Sequence, residues 1–220
     1  MEDIEIINLW KAQNEKIEQS LSINKRLLIE AINQKAQTSL GSLKRIKIIG
    51  IIAFVVYLII LGNLLYYAIS NYTSAANYFI GSMLAITLIN LKGFSDYIRH
   101  LVWANSINYD GNIIATQQQL SRLQLSIIKH TKVMVLQFPF WTTFYLSNRW
   151  FPQDVGLAYI IFQVVLTGAF TYLAYWLYKN QTLENLDKKW YQRLIAGSGG
   201  KSVMEAIDFY KEIETFRQEL

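Results

Sequence analysis

Long apolar runs constrain this chain more than any other feature. The clearest is 46–69, entered past Lys44, Arg45 and Lys47, with Asn63 as its one strongly polar side chain and a Tyr66–Tyr67 pair at its end. A helix needs about 20 mostly apolar residues to cross a bilayer, and a basic flank on one side with aromatic residues on the other marks the two interfaces. A second run covers 75–91, reaching toward Ile98, and is closed by Lys92, Asp96 and Arg99. Residues 70–74 are too few to connect these runs in any way but an antiparallel hairpin. Another run, 156–178, ends in Tyr175, Trp176 and Tyr178 before Lys179, again an aromatic belt and then a basic residue.

Between them lies a weaker run. Residues 133–146 stand between Lys132 and Asn148–Arg149, with Gln137 and Pro139 inside. This is short for a crossing. Extension to Phe151 adds length but takes in Arg149, so a re-entrant segment is the rival reading. Basic residues arbitrate. Eight Lys and Arg precede residue 48, five lie in 92–132 and seven follow 178, while 70–74 has none and the 147–155 connection only Arg149. If the weak run crosses, every basic segment is on the cytoplasmic side, as the positive-inside rule favours. The expectation is an all-α chain: a four-helix transmembrane bundle with cytoplasmic amphipathic helices and a long helical hairpin. It lies in the inner (cytoplasmic) membrane, multi-pass, with N- and C-termini cytoplasmic. The expected organisation is 1–45, a cytoplasmic amphipathic segment; 46–98, a first transmembrane hairpin; 99–131, a cytoplasmic helical hairpin; 132–178, a second transmembrane hairpin; and 179–220, a helical tail.

Composition fits a membrane protein. Charged residues are 17% where soluble domains carry about 25%, and hydrophobic residues are 52%. The net charge of +5 reads as a topology signal, so no nucleic-acid partner is expected. The first 45 residues show no apolar core run of a signal peptide. The absence of Cys excludes disulfides, thiolate metal sites and Cys nucleophiles.

In 1–45, Trp10, Ile17, Leu21, Leu28 and Ile32 recur at helical steps among Lys, Glu, Gln and Asn. The stripe is thin, broken by Asn14 and Asn24, and such a helix is marginal alone. It is the candidate partner-binding stripe, whether the partner is the rest of this chain, a second copy or another protein. Asp110-Gly111-Asn112 is a turn signal splitting two helical patterns, Tyr97, Leu101, Ala104, Ile107 and then Ile113, Leu120, Ile127, Met134. In the tail, Leu183, Leu186, Trp190 and Leu194 mark one helix. Ser202 with Glu205 predicts a capping box for another, striped by Ala206, Phe209, Ile213 and Phe216.

Chemistry-bearing motifs are few. Gly200-Lys201-Ser202 lacks the first glycine of a P-loop, since residue 195 is Ile, and it follows a helix rather than a strand. Asn71-Tyr72-Thr73 and Asn180-Gln181-Thr182 are chance glycosylation matches. His100 and His130 read as interfacial basic residues. Phe138, Phe140, Trp141, Phe144 and Tyr145 around Pro139 read as lipid-facing bulk. The interiors of the apolar runs are read as free of Asp, Glu, Lys and Arg, which argues against a proton-coupled pump. Asn63, Asn77, Asn90, Gln137 and Gln163 are the candidate intramembrane polar contacts, read as hydrogen bonds between helices. No catalytic set, metal site or cofactor site is expected.

Leu9-Trp10-Lys11, Asn14-Glu15-Lys16-Ile17-Glu18, Leu27-Leu28 and Gln137-Phe138-Pro139-Phe140-Trp141-Thr142-Thr143 carry a resemblance. The chain resembles a group of uncharacterised bacterial four-span inner-membrane proteins with a helical cytoplasmic N-terminus, some of them associated with sigma-factor operons. The Ile- and Asn-rich, Pro-poor composition also resembles that of proteins from AT-rich bacterial genomes. The family resemblance implies an anti-sigma-like role, although this sequence lacks the zinc-binding His/Cys pattern of well-known anti-sigma domains. Two functions are therefore expected in order. The first is a regulatory or interaction protein that anchors cytoplasmic helices for a protein partner or homo-oligomer. The alternative is a small transporter, channel or accessory subunit of a membrane complex.

Overall fold

The computed structural model describes residues 2–109 and 113–218, and these are helical with no strand. The helices are α1 (Glu2–Ser70), α2 (Asn77–Asn105), α3 (Ile113–Met134), α4 (Leu157–Asn180), α5 (Lys189–Ala196) and α6 (Gly200–Gln218). Short 3₁₀ turns precede α2 (Ser74–Ala76) and α5 (Leu183–Asn185), and a longer 3₁₀ stretch, Val135–Thr142, continues α3. The predicted turn at Asp110-Gly111-Asn112 lies outside the described residues, as do the side chains of Ile213 and Phe216.

Three helical segments are long and apolar enough to cross a membrane: α1, the Ser74–Asn105 segment that contains α2, and α4. Their apolar side chains point mostly outward, Ile59 being 58% exposed and Val165 63%. So continuous an exposed apolar surface needs lipid around it, which makes this a membrane protein.

The weak third run is not a fourth apolar α-helix. Pro139 has no N–H to donate and its ring collides with the carbonyl four residues back, so regular α-helix gives way to the 3₁₀ stretch and then to turns. It nevertheless accompanies α2 along its length. Four pairs mark the course: His130 with Asp96, Gln137 with Asn90, Thr143 with Ser82, and Ser147 with the carbonyl of Ala75. From Ala75 to Asp96 a helix rises about 31 Å. His130 to Ser147 covers that distance in fewer residues, at about 1.8 Å each, between the 1.5 Å rise of an α-helix and the 2.0 Å rise of a 3₁₀ helix.

On the other side of Asp96 the chain builds a dry four-helix core. Ile32, Ala36, Leu40 and Leu43 of α1 meet Ala104 of α2 and Ile107 just after it, Leu120, Leu123 and Ile127 of α3, and Val203 and Ala206 of α6. α5 closes one flank, with Tyr191 and Ile195 against Ile128. The link into α6 needs glycine. Gly199 has φ +80°, and a Cβ there would lie 2.2 Å from Leu43 Cδ1. The predicted Ser202–Glu205 capping box does not form. α6 already begins at Gly200, and the Glu205 carboxylate instead accepts a 3.3 Å hydrogen bond from Ser39 of α1.

Candidate functional site

Where α1, α2 and α3 converge, between the dry core and the apolar segments, ionisable side chains are buried together. Lys47 comes from α1, Asp96, Tyr97 and His100 from α2 and His130 from α3, with the exposed Lys92 of α2 and the half-buried Ser126 of α3 at the edge. The helices approach closely because two contact positions are glycine. A Cβ on Gly50 would lie 2.2 Å from the Tyr97 ring, and one on Gly93 2.8 Å from Met134 Sδ. Phe54 packs edge-on against Tyr97 at 5.2 Å and completes the apolar lid.

Asp96 is the hub. One carboxylate oxygen takes the Lys92 ammonium one turn away on α2, and the other lies 3.4 Å from His130 Nδ1. Lys47 is fully buried, and its Nζ lies 3.7 Å from the Tyr97 ring centroid, a cation–π contact. That amine has no hydrogen-bond acceptor among the described residues.

The two histidines extend the cluster. Their rings meet edge-on at 5.9 Å, and His100 Nε2 is 2.9 Å from Ser126 Oγ at the outer surface of α3. Burial, assisted by the nearby Lys47 charge and opposed by Asp96, lowers the His130 pKa to about 4, so the ring is neutral near pH 7. Ser126, His100, His130 and Asp96 thus line the α2–α3 contact from the α3 surface to a buried carboxylate, as neighbours rather than a continuous hydrogen-bond chain, since His100 Nδ1 and His130 Nδ1 have no hydrogen-bond partner among the described residues. Such a set can hold α2 and α3 in register. Among the described residues no group of three His, Cys, Asp or Glu side chains is placed to hold a metal ion.

This corrects two sequence readings. Lys47 and Asp96 are not mere flanks, and His100 and His130 are not exposed interfacial bases; all four are buried. Sequence reasoning placed them at run ends and stopped there. The signals were the four-residue spacings of Lys92, Asp96 and His100 and of Ser126 and His130, with glycines nearby; spacing does not say which faces meet.

The candidate partner stripe divides. Trp10, Ile17 and Leu21 are exposed, at 70%, 52% and 51%, while Leu28 packs against the dry core and Ile32 lies inside it at 3%. The polar candidates also divide. Asn90 donates to the Ile86 carbonyl and to Gln137 Oε1 at 3.0 Å. Gln163 of α4 donates to the Thr142 carbonyl and Thr167 Oγ1 and accepts from Tyr145. Asn63 only turns back to the Ile59 carbonyl of its own helix, and Asn77 accepts from Tyr72.

No protein-family model, curated protein or solved structure matches the chain.

Proposed function

We propose that this chain is an inner-membrane anchor that crosses the bilayer four times with both ends cytoplasmic, and that residues 2–27 of α1 form a docking helix for a protein partner. The distribution of Lys and Arg supports the orientation. The pairing of the third run with α2 from Asp96 to Ala75 supports a full crossing rather than a re-entrant turn. One observation carries the functional reading. Trp10, Ile17 and Leu21, together with Ile23 and Leu27, lie exposed on α1 ahead of Leu28, the first side chain of that helix, among those described, to pack on the core. At 1.5 Å per residue this is a segment of roughly 40 Å, enough for an amphipathic helix to engage a groove or another helix. An anti-sigma-like anchor is one form of this function. The hydrogen bonds of Asn90 to Gln137, and of Gln163 to the Thr142 carbonyl, Thr167 and Tyr145, favour an anchoring bundle over a solute path lined by these groups.

The test is an in-cell crosslink and pull-down from membranes, comparing the full chain with one lacking residues 2–26. A deletion to residue 40 would not discriminate, because it removes Ile32, Ala36 and Leu40 from the core. A soluble protein recovered only with the full chain is the expected result. Recovery of the same membrane subunits with both proteins, and of nothing soluble, overturns the docking helix in favour of the accessory-subunit alternative.

A further inference from the structure

We propose that the groove between α2 and α3 on the outer side of the ionisable cluster is a phosphate-binding site. Its volume is about 690 Å³, within the range of small-molecule sites. Three cations line it, Arg99 from α2 and Arg122 and Lys129 from α3, and no carboxylate does among the described residues. All three are exposed and make no salt bridge among the described residues, whereas the buried Asp96 is paired with Lys92. Arg122 is held in place, its guanidinium carbon 4.5 Å from the Trp103 ring centroid. A stacked guanidinium is a pre-organised, planar donor set for phosphate oxygens. Arg122 and Lys129 are two helical turns apart, about 10 Å, so one occupant can meet both.

Depth points to the source. Arg99 lies one turn past Asp96, and Lys129 precedes His130, so both are at the end of the α2 apolar run, where headgroup phosphates lie. Basic pockets at the cytoplasmic ends of membrane helices suit anionic lipid headgroups. The shared chemistry is a phosphate mono- or diester, brought by a lipid or by a phosphorylated solute. Ser126 also lines the groove while contacting His100 Nε2, so an occupant adjoins the buried cluster through one side chain.

The experiment is thermal unfolding of the full chain in zwitterionic micelles, titrated with short-chain phosphatidylglycerol or with pyrophosphate at matched ionic strength. The expected result is a saturable rise in Tm with phosphatidylglycerol that is lost in Arg99→Gln/Arg122→Gln/Lys129→Gln. A saturable rise with pyrophosphate as well, lost in the same variant, keeps the site and assigns it to phosphorylated solutes. No rise with either probe, or an equal rise in the variant, overturns the proposal. Should the triple variant not fold, Arg122→Gln alone decides. Its half-saturation concentration is expected to rise about tenfold, the loss of one charge-assisted contact, and an unchanged value overturns the site.

Discussion

Around Leu40, Leu43, Leu120 and Leu123 the apolar side chains are completely buried, while Ser39, Lys201 and Glu205 face out. Around Ser82, Asn90, Thr142 and Gln163 polar groups are buried beside Leu61, Met83 and Ile86, and Ile52, Ile59, Val164 and Val165 cover the outside. The same α1 runs through both regions without a break. What changes is the solvent each side of the helix expects. In water the hydrophobic effect holds a bundle together. In lipid, apolar surface gains nothing by facing inward, and packing with interhelical hydrogen bonds has to hold the helices. The ionisable cluster lies where the two regimes meet, and this location explains its composition. It is deep enough to exclude water, yet Lys92 can still reach outward with half its side-chain surface exposed.

The sharpest way to break this comparison is a pair of truncations. Leu123→Ala is expected to destabilise the chain by about 2–5 kcal/mol, the cost of a cavity in a dry core. Ile59→Ala, on the lipid side, is expected to cost below about 0.5 kcal/mol. Unfolding in mixed micelles measures both, and equal effects would mean that the second region is not lipid-facing.

An effect of similar or smaller size tests the junction. Because the His130 pKa in the folded protein is lowered to about 4 against an ordinary 6.5, the unfolded chain takes up the proton first as pH falls. The unfolded state then binds more protons between 6.5 and 4, and stability falls with falling pH across that window, by at most about 3 kcal/mol. Above 6.5 the contribution is fully present. Tm measured against pH is expected to show this slope and to show less of it in His130→Gln, with Asp96, Lys47, Lys92 and His100 left in place. An identical slope in the variant would show that His130 titrates freely and is not buried.

A small effect is also expected of the intramembrane hydrogen bonds. Gln163→Leu removes bonds to the Thr142 carbonyl, Thr167 and Tyr145. Its expected cost is roughly 0.6 kcal/mol, with about 1.7 as the upper end for one such side chain. A loss as large as that of Leu123→Ala would make Gln163 part of a working site rather than a helix contact.

Much of this was legible in the residues. The runs 46–69, 75–91 and 156–178 appear as long apolar helices because length and hydropathy are local properties. The periodicity of 113–134 likewise marks α3 and its inward-facing Leu120 and Ile127. The weak third run was legible only as an anomaly. Pro139 shows that an α-helix cannot continue, but not that the replacement 3₁₀ stretch stays beside α2 to the level of Ala75. The 1–45 stripe was legible as apolar spacing; how it divides at Leu28 depends on where α6 comes back to cover it, some 175 residues later.

By itself, then, the sequence determined which segments leave water and which way the basic residues bias them, because transfer to lipid is a sum over neighbouring side chains. Only the tertiary structure decided that Lys47, Asp96, His100 and His130 share one buried volume, that Arg99, Arg122 and Lys129 share one groove, and that Ile32 is core while Trp10 is not. Those outcomes depend on pairing faces of helices distant in the chain. Periodicity defines each face and leaves its partner open, and close packing at Gly50, Gly93 and Gly199 selects it.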